Sequence, residues 1–232
     1  MRLIIYFSSA EEKDIPISFF NNKFAIQGLF YSIFLKSDKL VNLHFQKGFK
    51  HFCFSDVAKK DGNYFILFSS PNNEIVKEVK KVLRKLKFIY IGYELFKLEK
   101  VKLIKTKVKK SLDLITGSPV VVYVNNRPFN FFKDKNYSIF FERLKENAIK
   151  KYKAFYNEDI KINDLFDEAI FNKSVAIPLN KNGKKFLIFG SMWKSLKKYY
   201  ISKEEKKFYR FLIDEGLGEK NSLGFGFLNI KK

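Results

Sequence analysis

Apolar residues along this chain follow two periods, and the switch between them recurs. "RLIIYF" (2–7) is short and rich in β-branched and aromatic residues, the composition of a buried strand. In "NNKFAIQGLFYSIFLKS" (21–37), Ile26, Leu29, Phe30, Ile33 and Phe34 fall at three-and-four spacing. That pattern predicts a helix, with Asn22 placed to cap it. "KHFCFSD" (50–56) and "NYFILFSS" (63–70) read as strands flanking "KKDGN", whose Asp-Gly pair signals a hairpin turn. "PNNEIVKEVKKVLRKL" (71–86) returns to the helical period, with Ile75, Val76, Val79, Val82, Leu83 and Leu86 on one face and Asn72 or Asn73 before it. "FIYIGYELFKLEKVKLIKT" (88–106) is extended. The order is β-α-β-β-α-β, that of a ferredoxin-like split βαβ domain.

The same order recurs downstream. "SLDLITG" and "PVVVYVN" (111–125) read as strands around Gly117-Ser118-Pro119, an extra hairpin at the start of this half, followed by a helix over 136–156. A hairpin is expected over 174–196 around Asn182-Gly183. The next helix, over 202–216, opens with a capping box from Ser202 to Glu205. A glycine-rich loop and a last strand, "FGFLNIK", complete the pattern. The expectation is an α+β chain of two tandem ferredoxin-like (βαββαβ, RRM-like) domains, 1–108 and 109–232, divided in the basic stretch "KTKVKKS" (105–111). The two halves share element order without a residue-level repeat.

Composition narrows the class of partner. The chain has 232 residues, 46% of them hydrophobic, enough for two cores. Lys+Arg is 45 against 24 Asp+Glu, a formal charge of +21, which points to a polyanion: nucleic acid first, an acidic membrane second. Only Arg2, Arg84, Arg127, Arg143 and Arg210 are arginines. Few arginines mean few bidentate base contacts, so phosphate-dominated, salt-sensitive binding is expected. Cys53 is the sole cysteine, which excludes an intrachain disulfide and suits a reducing cytoplasm. "MRLIIYFSSAEEKD" turns acidic too soon for a signal peptide, and no apolar run is long enough for a membrane span. Two histidines and scattered carboxylates make a poor ligand set, so neither metal nor cofactor is expected.

Four of the 11 glycines lie in "GLGEKNSLGFGF" (216–227). The stretch follows a helix and enters a strand, the reverse of a dinucleotide fingerprint, and it lacks the Gly-Lys-Ser/Thr of a Walker loop. Two readings remain. Gly216 caps a helix while Gly224 and Gly226 ease a crowded strand, or the loop cradles phosphates beside Lys220, Asn221 and Ser222.

"GLGEKNSLGFGFL" resembles the C-terminal glycine-rich signature of the CRISPR-associated endoribonucleases that process precursor repeat RNA. The resemblance covers essentially the whole chain, since that family has two tandem ferredoxin-like domains. It implies that Gly216, Gly218, Lys220, Asn221, Ser222, Gly224 and Gly226 hold RNA. "QGLFYSIF" followed by "KLVNLHFQKGFKHFCFS" resembles the family's active-site segment, which implies a catalytic set of Tyr31, His44 and Lys50. His51 is the other histidine. Alternation over 50–54 places it with Cys53 and Ser55, opposite Phe52 and Phe54, and exposed if those two phenylalanines fill the core. Lys47 is the substitute for Lys50.

The chemistry the resemblance implies is cleavage by the RNA's own 2′-OH, without metal, leaving a 2′,3′-cyclic phosphate and a 5′-OH. Such a reaction needs a base, an acid and a cation at the phosphorane. Tyr31 is expected as base, His44 as acid and Lys50 as stabiliser, with the first two labels exchangeable. The alternative is a non-cleaving RNA-binding subunit of a CRISPR effector complex. The partners expected are CRISPR repeat RNA and effector-complex subunits, with the chain a monomer or homodimer. Further grip is expected from the lysines of 97–110 and from "SMWKSLKKYY" (191–200), where Trp193, Tyr199 and Tyr200 stand beside lysines.

Overall fold

The structure, a computed structural model, describes residues 1–134, 136–181 and 183–231. The chain divides into two compact units: residues 1–105 with 222–224, and residues 106–221 with 225–232.

The first unit runs β1 (Arg2–Ser9), α1 (Lys23–Phe34), α2 (Val41–Phe45), β2 (Cys53–Phe54), β3 (Ala58–Lys60), β4 (Asn63–Ser69), α3 (Asn73–Arg84), β5 (Phe88–Ile91) and β6 (Glu94–Ile104). Its antiparallel sheet has the order β2-β4-β1-β6-β5, with β3 also on β4. The helices start where local chemistry dictates. The Asn22 side chain accepts from the backbone N–H of Phe24 and Ala25, and that of Asn72 from Glu74, so each cap satisfies donors the helix itself cannot. All five apolar positions predicted for α1 are buried, as are Ile75, Val76, Val79, Val82 and Leu83 of α3. Leu86 is half-buried and lies past the end of α3. Under the helices, Leu3, Ile5 and Phe7 of β1 meet Ile66, Phe68 and Phe96 in a core dominated by aromatic edge contacts.

Two details differ from the sequence expectation. The stretch 88–106 is a hairpin, because Gly92 takes φ 63° and reverses the chain between β5 and β6. Strand 50–56 shortens to Cys53–Phe54, and His51 ahead of it adopts φ 52°, outside extended geometry. Phe52, Cys53, Phe54 and Ser55 are all buried, and His51 is half-buried instead of exposed. The Asp61-Gly62 turn forms as expected, both residues at positive φ, joining β3 to β4.

Gly28 lies mid-helix in α1, exposed, and a methyl group there would meet nothing within 4 Å. Gly28→Ala is expected to raise stability by about 0.5–1 kcal/mol, the usual helix penalty of glycine. Denaturant melts check it; a lower midpoint would reveal strain at this turn.

The second unit runs β7 (Leu112–Thr116), β8 (Tyr123–Val124), β9 (Arg127–Pro128), α4 (Tyr137–Tyr156), β10 (Glu168–Lys181), β11 (Lys184–Lys198), α5 (Glu205–Glu215) and β12 (Leu228–Ile230). Its main sheet is antiparallel with order β10-β11-β7-β12. With α4 and α5 this is again a ferredoxin-like arrangement, in an α+β chain. The capping box closes reciprocally: Ser202 N donates to Glu205 Oε2 at 2.9 Å and Glu205 N to Ser202 Oγ at 3.2 Å. Asn182 of the expected β10–β11 turn lies outside the described residues; Gly183 has φ 79°.

The expected pairing across Gly117-Ser118-Pro119 does not form. Val120 instead bridges Ser191, and the hairpin closes further on, between β8 and β9. Asn125 and Asn126, at φ 50° and 62°, supply the left-handed turn that the earlier triplet lacks. Trp193 is also reassigned. It is 2% exposed, stacks on Phe140 at 5.7 Å and donates through Nε1 to Ser191 Oγ, so it belongs to the core. Tyr199 and Tyr200 remain exposed, as do Lys97, Lys100 and Lys102 on β6.

Candidate active site and glycine-rich loop

In the first unit, Tyr31, His44 and Lys50 come together from separate segments. Tyr31 sits on the last turn of α1, its half-buried ring packed near Phe34 and Phe52. His44 belongs to the last turn of α2 and meets the Tyr31 ring edge-on, with centroids 4.7 Å apart. Its Nδ1 is buried and has no hydrogen-bond partner among the described residues.

Lys50 completes the group. Its Nζ donates to the carbonyls of Leu43 at 3.1 Å and His44 at 2.8 Å, capping the end of α2, and lies 4.9 Å from the centroid of the Tyr31 ring. An ammonium has three donors. With two held by α2, the third is available to an anion beside Tyr31 and His44. Lys47 is exposed, and His51 packs near Phe49 at 6.0 Å, its carbonyl accepting from Ser70 Oγ. No three His, Cys, Asp or Glu side chains gather as metal ligands would among the described residues.

The glycine-rich stretch is mostly interior. Gly216, Gly218, Asn221, Gly224 and Gly226 are buried, Ser222 is half-buried, and Lys220 is exposed on a left-handed backbone at φ 59°. In the second unit its centre is Lys151, 1% exposed on α4. The Lys151 Nζ donates to Gly216 O at 2.7 Å, Gly218 O at 3.0 Å and Asn221 Oδ1 at 2.8 Å. Asn221 Nδ2 in turn donates to Leu217 O and Phe225 O. A buried ammonium is tolerated only when its protons are matched, and here three loop acceptors match them. The glycines permit this fold. A Cβ on Gly218 would lie 2.4 Å from Val121 O, and one on Gly226 1.8 Å from Leu217 O.

Residues 222–224 belong with the first unit. There Gln27 Nε2 donates to Ser222 O at 2.8 Å, and Lys23 Nζ to Gly224 O at 2.9 Å and to the Asp56 carboxylate. Lys23, Gln27 and Tyr31 occupy successive turns of α1 at four-residue spacing, which places them along one row.

Lys23, Gln27 and Lys151 escaped the sequence reading. Lys151 had a signal: it continues the buried row Leu144, Ala148 at helical spacing, where a lysine needs compensation. Lys23 and Gln27 had none, since their acceptors are backbone carbonyls about 200 residues away in sequence.

Residues 99–230 match the family described as CRISPR associated protein Cas6, C-terminal. Over 223 residues the chain is 39% identical to CRISPR-associated endoribonuclease Cas6 2 of Methanocaldococcus jannaschii, covering 90% of this chain and 91% of that one. A solved structure described as CRISPR associated protein Cas6 aligns over 100% of this chain and 99% of its own, with TM-score 0.74 and 26% identity. Another, described as an RAMP protein binding different RNA substrates, aligns over 100% of both chains with TM-score 0.75; at 23% identity it shows the shared fold alone.

Proposed function

Because this chain belongs to the Cas6 family of CRISPR-associated proteins, we propose that it is a metal-independent endoribonuclease that binds CRISPR repeat RNA and cuts precursor transcripts within the repeats. The supporting observation is the convergence of a phenol, an imidazole and an ammonium: Tyr31 and His44 at 4.7 Å, with Lys50 4.9 Å from the same phenol ring.

In this reading, a 2′-oxygen of the RNA attacks the adjacent phosphorus as Tyr31, reacting as phenolate, takes the 2′-OH proton and becomes a phenol. The bond from phosphorus to the 5′-oxygen breaks, and His44, reacting as imidazolium, gives that oxygen a proton and becomes neutral. Lys50 holds the negative phosphorane through its remaining N–H. The products are a 2′,3′-cyclic phosphate and a 5′-OH. Exchanging the roles of Tyr31 and His44 leaves the balance unchanged. Lys220 and Ser222 offer the accessible surface of the glycine loop to phosphates, while the buried glycines set its shape.

The test is incubation with the host's own repeat RNA in excess EDTA, followed by mapping of the product ends. Cleavage should persist and leave 5′-OH termini. A strict Mg²⁺ requirement would overturn the metal-independent reading. Tight binding of RNA that stays intact at long times would instead favour a non-cleaving subunit.

A further inference from the structure

Beside the glycine loop, within the second unit, is a cavity of about 590 Å³ that the proposed cleavage chemistry does not use. This volume is within the range of small-ligand sites. Its wall combines an aromatic ring, Tyr123, with the amides of Asn125, Asn126 and Asn147 and the cations Arg143 and Lys150.

These parts are held in place. The backbone N–H of Tyr123 donates to Glu219 Oε1 at 2.9 Å, which fastens the β8–β9 hairpin to the loop. That bond occupies one of the two carboxylates lining the cavity. The other, Glu146, pairs with Arg143 at 2.7 Å. Lys220 Nζ lies 5.0 Å from the centroid of the Tyr123 ring. The left-handed turn presents Asn125 and Asn126 exposed at the rim. Asn147 lines the wall from α4 between Arg143 and Lys150.

An unpaired nucleotide has the complementary features. Its base has a π-face for Tyr123, its exocyclic amine or ring N–H suits an amide oxygen, and its phosphate suits Arg143, Lys150 and Lys220. We infer that this cavity is a base-reading subsite for one unpaired nucleotide of the bound RNA. The inference rests on the RNA-binding reading above and adds a position at which sequence is recognised. Phosphate contacts alone carry no sequence information.

The experiment is an affinity scan with catalytically silenced protein and repeat RNAs carrying one abasic site at each unpaired position. One position should weaken binding by roughly tenfold, the scale of a lost base–aromatic stack. Tyr123→Leu should weaken binding of intact RNA to a similar degree, yet cause no further loss with that one abasic RNA. Tyr123→Phe should bind like the wild type, and Asn147→Ala should couple to the same position. If Tyr123→Leu misfolds, the Phe and Asn147 variants carry the test. Independent penalties at every position would overturn the subsite while leaving RNA binding intact. Absence of RNA binding by the wild type would overturn both readings. If nucleoside monophosphates occupy the cavity but no RNA position couples to Tyr123, the site serves free nucleotides and the RNA assignment falls.

Discussion

His44→Ala will lower the single-turnover cleavage rate of repeat RNA by about 10²–10⁴-fold, the range for losing a positioned proton donor or acceptor. RNA affinity should be unchanged. The expectation follows from where the imidazole sits. It is half-buried at the end of a five-residue helix, edge-on to the rings of Tyr31 and Phe45. Removing it deletes a titratable group and leaves the buried phenylalanines Phe30, Phe34, Phe52, Phe54 and Phe68 in place. Rates and binding measured on the same preparation separate the two effects. A variant that cuts at the wild-type rate would move the chemistry away from this group.

Gly226→Ala will destabilise the second unit by about 3 kcal/mol and abolish RNA retention. Two costs add. An L-residue at φ 72° is disfavoured by about 1–2 kcal/mol. The new Cβ would also lie 1.8 Å from Leu217 O, so the backbone must move. That movement strains the bonds Leu217 N to Gly226 O at 2.8 Å and Gly226 N to Pro119 O at 2.7 Å, each worth about 1 kcal/mol. Thermal and denaturant melts check the loss. Wild-type stability would show that the loop accommodates a side chain the geometry excludes. Gly28→Ala is the control, because it adds the same methyl group at open space.

The helices and their starts were legible in the sequence, because their causes are local. Asn22 and Asn72 precede runs with helical apolar spacing, and Ser202 and Glu205 are within one turn of each other. The hairpin at Asp61-Gly62 was legible for the same reason. Misreadings arose where long-range contacts override local signals. "PVVVYVN" has the composition of a strand, yet Val120 pairs with Ser191, 71 residues on, and the chain turns at Asn125-Asn126. Trp193 stands among lysines in the sequence, but strand alternation turns it inward onto Phe140.

Residue order was enough to specify a basic chain of two β-α-β-β-α-β halves, the family resemblance of its glycine stretch, and a short list of residues able to perform chemistry. Folding was needed to bring Tyr31, His44 and Lys50 into one neighbourhood and to build the loop around the buried Lys151. It also put Gln27 and Lys23 on the carbonyls of Ser222 and Gly224. The difference comes from the nature of the partners. A cap or a helical face is written in neighbouring side chains. A lysine's match to backbone carbonyls exists only after glycines at positive φ have turned those carbonyls toward it.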